Sequence, residues 1–114
     1  MIPQLCPAQL APWFESAKIH GRPVLLDVRE PNELATSSVA RAEAYELVAI
    51  PMNSVPGRIA ELDTSRPVAV LCHHGARSQR VAQFLEVQGF AQVVNVAGGI
   101  DAWATELDAG VARY

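Results

Sequence analysis

Short, continuous apolar runs alternate with longer segments of mixed polarity along this chain. Three of the runs, rich in valine and leucine, occupy residues 23–28, 68–71 and 93–96. Uninterrupted runs of this length are typical of strands that are buried on both faces of a parallel sheet. The pattern therefore predicts three central strands, with a short edge strand over residues 2–5 and a further strand over residues 45–48.

Amphipathic segments separate these strands and predict helices. Between residues 7 and 20 the apolar side chains recur at helical spacing, and Pro7 takes a first-turn position that tolerates proline. Residues 78–88 have one apolar side and stop at Gly89. Shorter helices are predicted over residues 30–34, 54–62 and 100–107. Strands that alternate with helices indicate an α/β domain with a largely parallel sheet.

Composition and charge narrow the classes of function. The 114 residues suit one domain that spans residues 1–114. A net charge of −3, without a cluster of lysine or arginine, argues against a nucleic-acid surface. The chain has no apolar run of about 18–20 residues and no signal-peptide pattern, which indicates a cytoplasmic protein without membrane contact. Nothing in the sequence requires a dimer, so we expect a monomer.

Cysteine usage draws attention to one loop. The chain has two cysteines, Cys6 and Cys72, and no Cys-x-x-Cys pair of the thioredoxin type. Without an export signal, a disulfide between them is not expected. Cys72 ends an apolar run and opens the stretch CHHGARS over residues 72–78, directly before a predicted helix. A loop that only turns the chain does not need this set of side chains.

Three segments with chemically suggestive residues follow predicted strands and should meet at one edge of the sheet. They are residues 27–30, 72–77 and 97–99. Because ligands of parallel α/β sheets bind outside the carboxyl ends of the strands, this edge is the predicted site.

The loop after Cys72 has the composition of an anion cradle. Gly75 permits an unusual backbone angle, and the small residues let backbone N–H groups point inward at the start of a helix. We therefore expect Cys72 to be a thiolate at neutral pH and a nucleophile that needs no neighbouring base. Arg77 adds a fixed positive charge, so the same cradle can hold an anionic substrate.

Other interpretations of the loop stay open at this point. Cys72 could be a small buried apolar residue that ends a strand, as free cysteines often are. A metal site formed by Cys72, His73 and His74 is disfavoured because adjacent residues rarely all reach one ion. We interpret His73 and His74 as side chains that line the mouth of a pocket rather than as bases.

The stretch from Cys72 to Ser78 resembles the Cys-x-x-Gly-x-Arg-Ser active-site loop of rhodanese-type sulfurtransferases. Residues 26–31, 50–62 and 95–103 resemble three further segments of that family, in the same order along the chain. The resemblance thus covers nearly the whole sequence. Residues 37–42 depart from it, because they lack the Gly-His-Ile-Pro-Gly-Ala of many members and are followed by a few extra residues.

The resemblance implies a fold, a reaction and a set of site residues. The fold would be a rhodanese-like domain with a mostly parallel sheet of about five strands and helices on both faces. Cys72 would take a sulfane sulfur from thiosulfate or a similar small anionic donor, and would pass it from a persulfide to cyanide, a thiol or a protein such as a thioredoxin-like or sulfur-relay protein. No metal or organic cofactor is implied. The implied substrate-binding residues are His73, His74, Gly75, Ala76, Arg77 and Ser78.

Supporting roles are assigned to Asp27 and Arg29, with Arg29 interpreted as a local structural charge. Arg77 has two interpretations, because it can bind the anionic donor or pair with Asp27. We favour the pairing with Asp27, which ends the adjacent strand in this fold.

Two alternative functions remain. A phosphatase or arsenate reductase of the same fold is the less favoured one. The related phosphatases have five residues between cysteine and arginine, and the smaller ring of four found here suits a single sulfur atom better than a tetrahedral phosphate. A non-catalytic interaction module of the same fold is the other alternative. The reactivity of Cys72 at neutral pH distinguishes such a module from an enzyme.

Overall fold

A computed structural model describes residues 1–114 and contains one five-stranded parallel sheet. The strands lie in the order β1-β5-β4-β2-β3, and every neighbouring pair is parallel. This arrangement confirms the predicted α/β class. The strands are β1 (Gln4–Leu5), β2 (Val24–Asp27), β3 (Glu46–Ala49), β4 (Val68–Leu71) and β5 (Val93–Val96).

Three α-helices connect strands and a fourth follows β5, and all four lie close to where the sequence predicts helices. They are α1 (Leu10–Ala17), α2 (Pro31–Thr36), α3 (Ala76–Val87) and α4 (Gly99–Glu106). The helix predicted over residues 54–62 is instead a 3-10 helix at Pro56–Glu61. Pro56 takes the first position of this element, where proline is tolerated, and the low helix propensity of Gly57 directly after it disfavours a longer α-helix.

The hydrophobic core lies on both faces of the sheet because β2 and β4 are completely buried. On one face, Leu26 and Val70 pack with Leu85 of α3. On the other face, Leu25 and Leu71 pack against residues of α1 and α4, among them Trp103. Helices thus flank both faces, as predicted, and alternate residues of one strand serve opposite halves of the core.

The strand register brings the predicted segments to one edge. Asp27, the last residue of β2, pairs with Leu71, the last residue of β4. Val70 of β4 pairs with Asn95 of β5. Cys72 therefore leaves the sheet between the ends of β2 and β5, where the sequence predicts the site.

The residues after α4 fold back toward this edge. Val111 is buried, and Arg113 pairs with Asp101 of α4 at 2.9 Å. The hydroxyl of Ser37 donates to the carbonyl of Ala112. Ser37 begins the stretch that departs from the family pattern, so that stretch contacts the last residues of the chain.

None of the helices combines the length and the apolar character needed to cross a bilayer.

Candidate functional site

The Cys72 loop closes back on its own sulfur. The backbone N–H of Gly75 donates to Cys72 Sγ at 3.1 Å, and Gly75 caps the N-terminus of α3. Gly75 has a φ of 108°, in the left-handed region that side chains with a Cβ rarely adopt. The glycine predicted to be permissive is therefore required for the N–H to face the sulfur.

The first turn of α4 anchors the loop from the opposite side. The N–H of Ile100 donates to the carbonyl of Cys72 at 2.8 Å, and the N–H of Asp101 donates to that of His73 at 3.2 Å. A Cβ on Gly99 would lie 2.4 Å from both of these carbonyl oxygens, so only glycine allows this approach. The predicted segment 97–99 thus reaches the site and supports the loop backbone.

A buried polar network lies beneath the sulfur. Cys72 Sγ is 3.2 Å from Ser78 Oγ, which donates to Asn95 Oδ1. Asn95 Nδ2 donates to the Gly75 carbonyl at 3.1 Å and to Gln4 Oε1 at 2.8 Å. Cys72, Ser78 and Asn95 are each at most 2% exposed, so the network is shielded from water.

The direction of these hydrogen bonds follows from the donors available. The Gly75 carbonyl can only accept, so the amide nitrogen of Asn95 must face it and Oδ1 must face Ser78. The single hydroxyl hydrogen of Ser78 is therefore used on Asn95. In the thiol form, Cys72 can donate its S–H to Ser78 Oγ. In the anionic form, the N–H of Gly75 remains as a donor to the sulfur.

Arg77 pairs with Glu33, so the favoured pairing with Asp27 is wrong. Its two guanidinium nitrogens Nη1 and Nη2 bind the two carboxylate oxygens of Glu33 at 2.6 and 2.8 Å. This hydrogen bonding is the main cause that holds the pKa of Glu33 at about 2. Glu33 also raises the pKa of Arg77, and the charge of Cys72 adds to that rise. The guanidinium of Arg77 is thus near Cys72, while its Nη1 and Nη2 donate to Glu33 of α2.

Asp27 is unavailable to Arg77 because Arg29 occupies it. Arg29 Nη2 lies 2.7 Å from Asp27 Oδ2, and Arg29 Nε lies 2.9 Å from Asp27 Oδ1. Both side chains are almost completely buried. A fork-shaped guanidinium two residues away satisfies both carboxylate oxygens and closes the end of β2. Both residues therefore form a buried structural pair beside the loop.

His73 lies between two other rings at the mouth of the loop. Its centroid is 3.8 Å from that of His74 and 3.8 Å from that of Tyr114. The Tyr114 hydroxyl donates to Glu33 at 2.8 Å and accepts from Arg29 at 3.1 Å. The role of both histidines as residues that line the mouth of a pocket stays a prediction, and Tyr114 is an unpredicted member of this stack.

Sequence reasoning missed Glu33, Asn95 and Tyr114. Asn95 left a signal, since it is the one polar residue in the apolar run 93–96. Glu33 and Tyr114 left none, because their contacts with the loop depend on how distant segments pack. No group of three or more His, Cys, Asp or Glu side chains is arranged to hold a metal ion.

The arrangement suits attack by sulfur on a small electrophile. The positive end of the 12-residue helix α3 and the N–H of Gly75 both favour negative charge at Cys72. The guanidinium of Arg77 is paired with the ionised Glu33, so the backbone of the loop and the helix N-terminus supply most of this stabilisation. A thiol held among such donors can react without a neighbouring base.

Comparison with known proteins identifies the family to which this chain belongs. The family model for the rhodanese-like domain matches residues 9–106. A sulfurtransferase of Allochromatium vinosum is 37% identical over 81 residues, which cover 71% of each chain. A thiosulfate sulfurtransferase of Pseudomonas syringae pv. syringae is 35% identical over 82 residues, which cover 72% of this chain and 73% of that protein.

A solved structure gives the same result for the fold. A rhodanese-related protein from Thermoplasma volcanium superposes with a TM-score of 0.75 at 30% identity, covering 98% of this chain and 99% of the other. The sulfurtransferase relatives support sulfur transfer as the general activity. The family match, its relatives and the shared fold together place this chain in the rhodanese-like domain family.

Proposed function

We propose that this protein is a sulfurtransferase that carries a sulfane sulfur on Cys72. The observation that carries the proposal is the position of Cys72 Sγ, which accepts the N–H of Gly75 at the N-terminus of α3. Negative charge on the sulfur is favoured there both before and after it takes up another sulfur atom.

In the first half of the reaction, the Cys72 thiolate attacks the outer sulfur of thiosulfate. A bond forms between Cys72 Sγ and that sulfur, and the bond from it to the sulfonate sulfur breaks. Sulfite leaves with the electron pair of the broken bond. Cys72 then carries a persulfide, and no oxidant or reductant is consumed. The name of the Pseudomonas relative supports thiosulfate as the donor.

In the second half, a nucleophile attacks the outer sulfur of the persulfide. Cyanide gives thiocyanate, and a thiolate, free or on a protein, gives a new persulfide. The bond between Cys72 Sγ and the outer sulfur breaks. Its electron pair stays on Sγ, which becomes a thiolate again. The mechanism needs a nucleophile small or mobile enough to reach the loop.

The remaining loop residues shape the site in this proposal. The bonds of Arg77 to Glu33 fix the N-terminus of α3 against α2, and the Glu33 carboxylate offsets the charge of the guanidinium. His73 and His74 border the entrance. Ser78 contacts the sulfur from below, and its Oγ can accept an S–H hydrogen bond only when Cys72 is protonated.

A non-catalytic interaction module remains the second candidate function, and the burial of Cys72 favours it. The residue is only 1% exposed, as a structural thiol would be. A binding module has no use for a reactive sulfur, so reactivity separates the two functions.

The proposal is tested by the formation of thiocyanate from thiosulfate and cyanide. We expect the wild type and Cys6→Ala to turn over, with kinetics in which sulfite leaves before cyanide binds, and Cys72→Ala to be inactive. Equal rates in wild type and Cys72→Ala would contradict the proposal. Absence of turnover in the wild type, together with slow alkylation of Cys72 at neutral pH, would favour the interaction module.

A further inference from the structure

Tyr114 bridges the two ends of the Cys72 loop. Its ring lies parallel to that of His73, with an interplanar angle of 10° and a centroid distance of 3.8 Å. Its hydroxyl donates to Glu33, the residue that binds Arg77. Tyr114 thus contacts His73 directly and is linked to Arg77 through the carboxylate of Glu33.

Contacts on both sides hold Tyr114 in this position. Its hydroxyl is a donor to Glu33 and an acceptor from Arg29, so both hydrogen-bonding functions of the phenol are used. Burial is the main cause of a raised pKa for Tyr114, which keeps its proton available for Glu33. The ion pair of Arg113 with Asp101 and the buried Val111 fix the backbone that precedes it.

The ring also covers part of the loop. His73 Nε2 is buried and has no hydrogen-bond partner, although His73 lies at the mouth of the site. Tyr114 itself is 39% exposed, so its outer face looks to solvent while its inner face lies on the histidine. Tyr114 therefore borders the loop on its solvent side, next to the residue that follows Cys72.

We propose that Tyr114 is a specificity-determining residue of the sulfur transfer. By bridging His73 and the Glu33–Arg77 pair, it narrows the approach to Cys72. Small donors and acceptors reach the sulfur, and a cysteine presented by a folded protein is disfavoured. This inference rests on the proposed function, because it names the class of acceptor that the same site takes.

Access is measured first, without sulfur transfer. In a Cys6→Ser background, Cys72 is alkylated with iodoacetamide and with fluorescein maleimide, and the ratio of the two rate constants is compared. We expect Tyr114→Ala to raise the relative rate of the bulky reagent about tenfold, the scale on which pocket shape discriminates between ligands. Tyr114→Phe keeps the stacked ring and should change the ratio far less.

Leu107→Ala is the matched control. Leu107 is an exposed apolar residue that follows α4, at the end of that helix opposite its contact with the loop. The ratio of the two alkylation rate constants in Leu107→Ala should equal that of the wild type. Thermal unfolding verifies that all variants are folded. A ratio for Tyr114→Ala equal to that of Leu107→Ala would overturn the inference.

Specificity is then measured from the persulfide form. We expect Tyr114→Ala to raise about tenfold, relative to the wild type, the ratio of the rate of sulfur transfer to reduced thioredoxin to the rate of transfer to cyanide. An unchanged ratio of the two rates would overturn the role of Tyr114 alone. Failure of every variant to form the persulfide would overturn the proposed function instead.

Discussion

At the scale of single residues, the site depends on a few backbone and side-chain groups that satisfy each other beneath one sulfur. Gly75 supplies the N–H to Cys72 and the carbonyl to Asn95, so one peptide segment serves both the reactive atom and its buried support. Ser78 links these two partners from the other side. A substitution at Gly75, Ser78 or Asn95 is therefore expected to alter the surroundings of Cys72 Sγ.

Gly75→Ala should weaken both folding and the reaction. The left-handed φ of Gly75 costs a residue with a Cβ about 1–3 kcal/mol, and relief of that strain would turn the N–H away from Cys72. Denaturant unfolding and the rate of thiocyanate formation measure the two effects. Gly57→Ala is the control, because a Cβ on Gly57 would have no neighbour within 4 Å and its φ is not left-handed. Equal losses in the two variants would contradict this account of the loop.

Asn95→Leu should destabilise the fold strongly. The change removes the acceptor for the Ser78 hydroxyl and the donor to the Gly75 carbonyl, and each buried group left without a partner costs about 1–3 kcal/mol. The free energy of unfolding in urea measures the loss. Asn53→Ala, on the exposed surface, should have almost no effect. A stability of Asn95→Leu near that of wild type would show that the network is not required.

At the scale of secondary-structure elements, the Glu33–Arg77 pair joins α2 to α3. Glu33 lies in the first turn of α2 and Arg77 in the first turn of α3, so the pair fixes the two helix N-termini against each other beside the loop. Its side chains are 15% and 31% exposed, which makes it less screened than an ordinary surface pair.

The pair predicts a defined pH dependence of stability. Arg77 lowers the pKa of Glu33 from 4.5 to about 2. The ionised form of the Glu33 side chain is therefore more stable in the folded protein than in the unfolded chain. This stabilisation is complete above pH 4.5 and is lost as the pH falls toward 2. Glu33→Gln should thus be less stable than wild type at neutral pH, and the difference should shrink across that interval.

Urea unfolding of the wild type and Glu33→Gln at several pH values measures this difference. Glu61→Gln is the control, because Glu61 forms an equally direct pair with Arg58 on the exposed surface. We expect a smaller loss for Glu61→Gln. A difference between wild type and Glu33→Gln that does not vary with pH would contradict the role assigned to the carboxylate.

The elements themselves were largely predictable from the sequence, because burial on both faces leaves a clear signal. The apolar runs of β2, β4 and β5 mark the central strands. The 3-10 helix at Pro56–Glu61 was predicted as a longer helix, since apolar spacing over residues 54–62 does not distinguish a short 3-10 helix from an α-helix. Local patterns thus fix strand positions better than the type of a short helix.

At the scale of the whole molecule, segments far apart in sequence complete the site around the loop. Gln4 of β1 accepts from Asn95, 91 residues away, and Tyr114 donates to Glu33, 81 residues away. Periodicity reports which face of an element is buried, but it does not report such partners. Cys72, its loop and the supporting segment 97–99 could therefore be predicted from the sequence, whereas the contacts of Glu33 and Tyr114 with the loop could not.

The error at Arg77 has the same physical origin. The order of the strands correctly places Asp27 beside Cys72, and a pairing with the nearest acid follows from that order. The sequence does not show that Arg29 folds back onto Asp27 and leaves Glu33 as the free acid. Competition between two arginines for one carboxylate is decided by packing in three dimensions.

The most direct test of the central claim is the intact mass of the protein after incubation with thiosulfate. We predict that wild type and Cys6→Ala gain one sulfur atom, that Cys72→Ala gains none, and that cyanide removes the added sulfur. A sulfur gain in Cys72→Ala, or no gain in any of the three proteins, would contradict the claim that Cys72 carries the transferred sulfur.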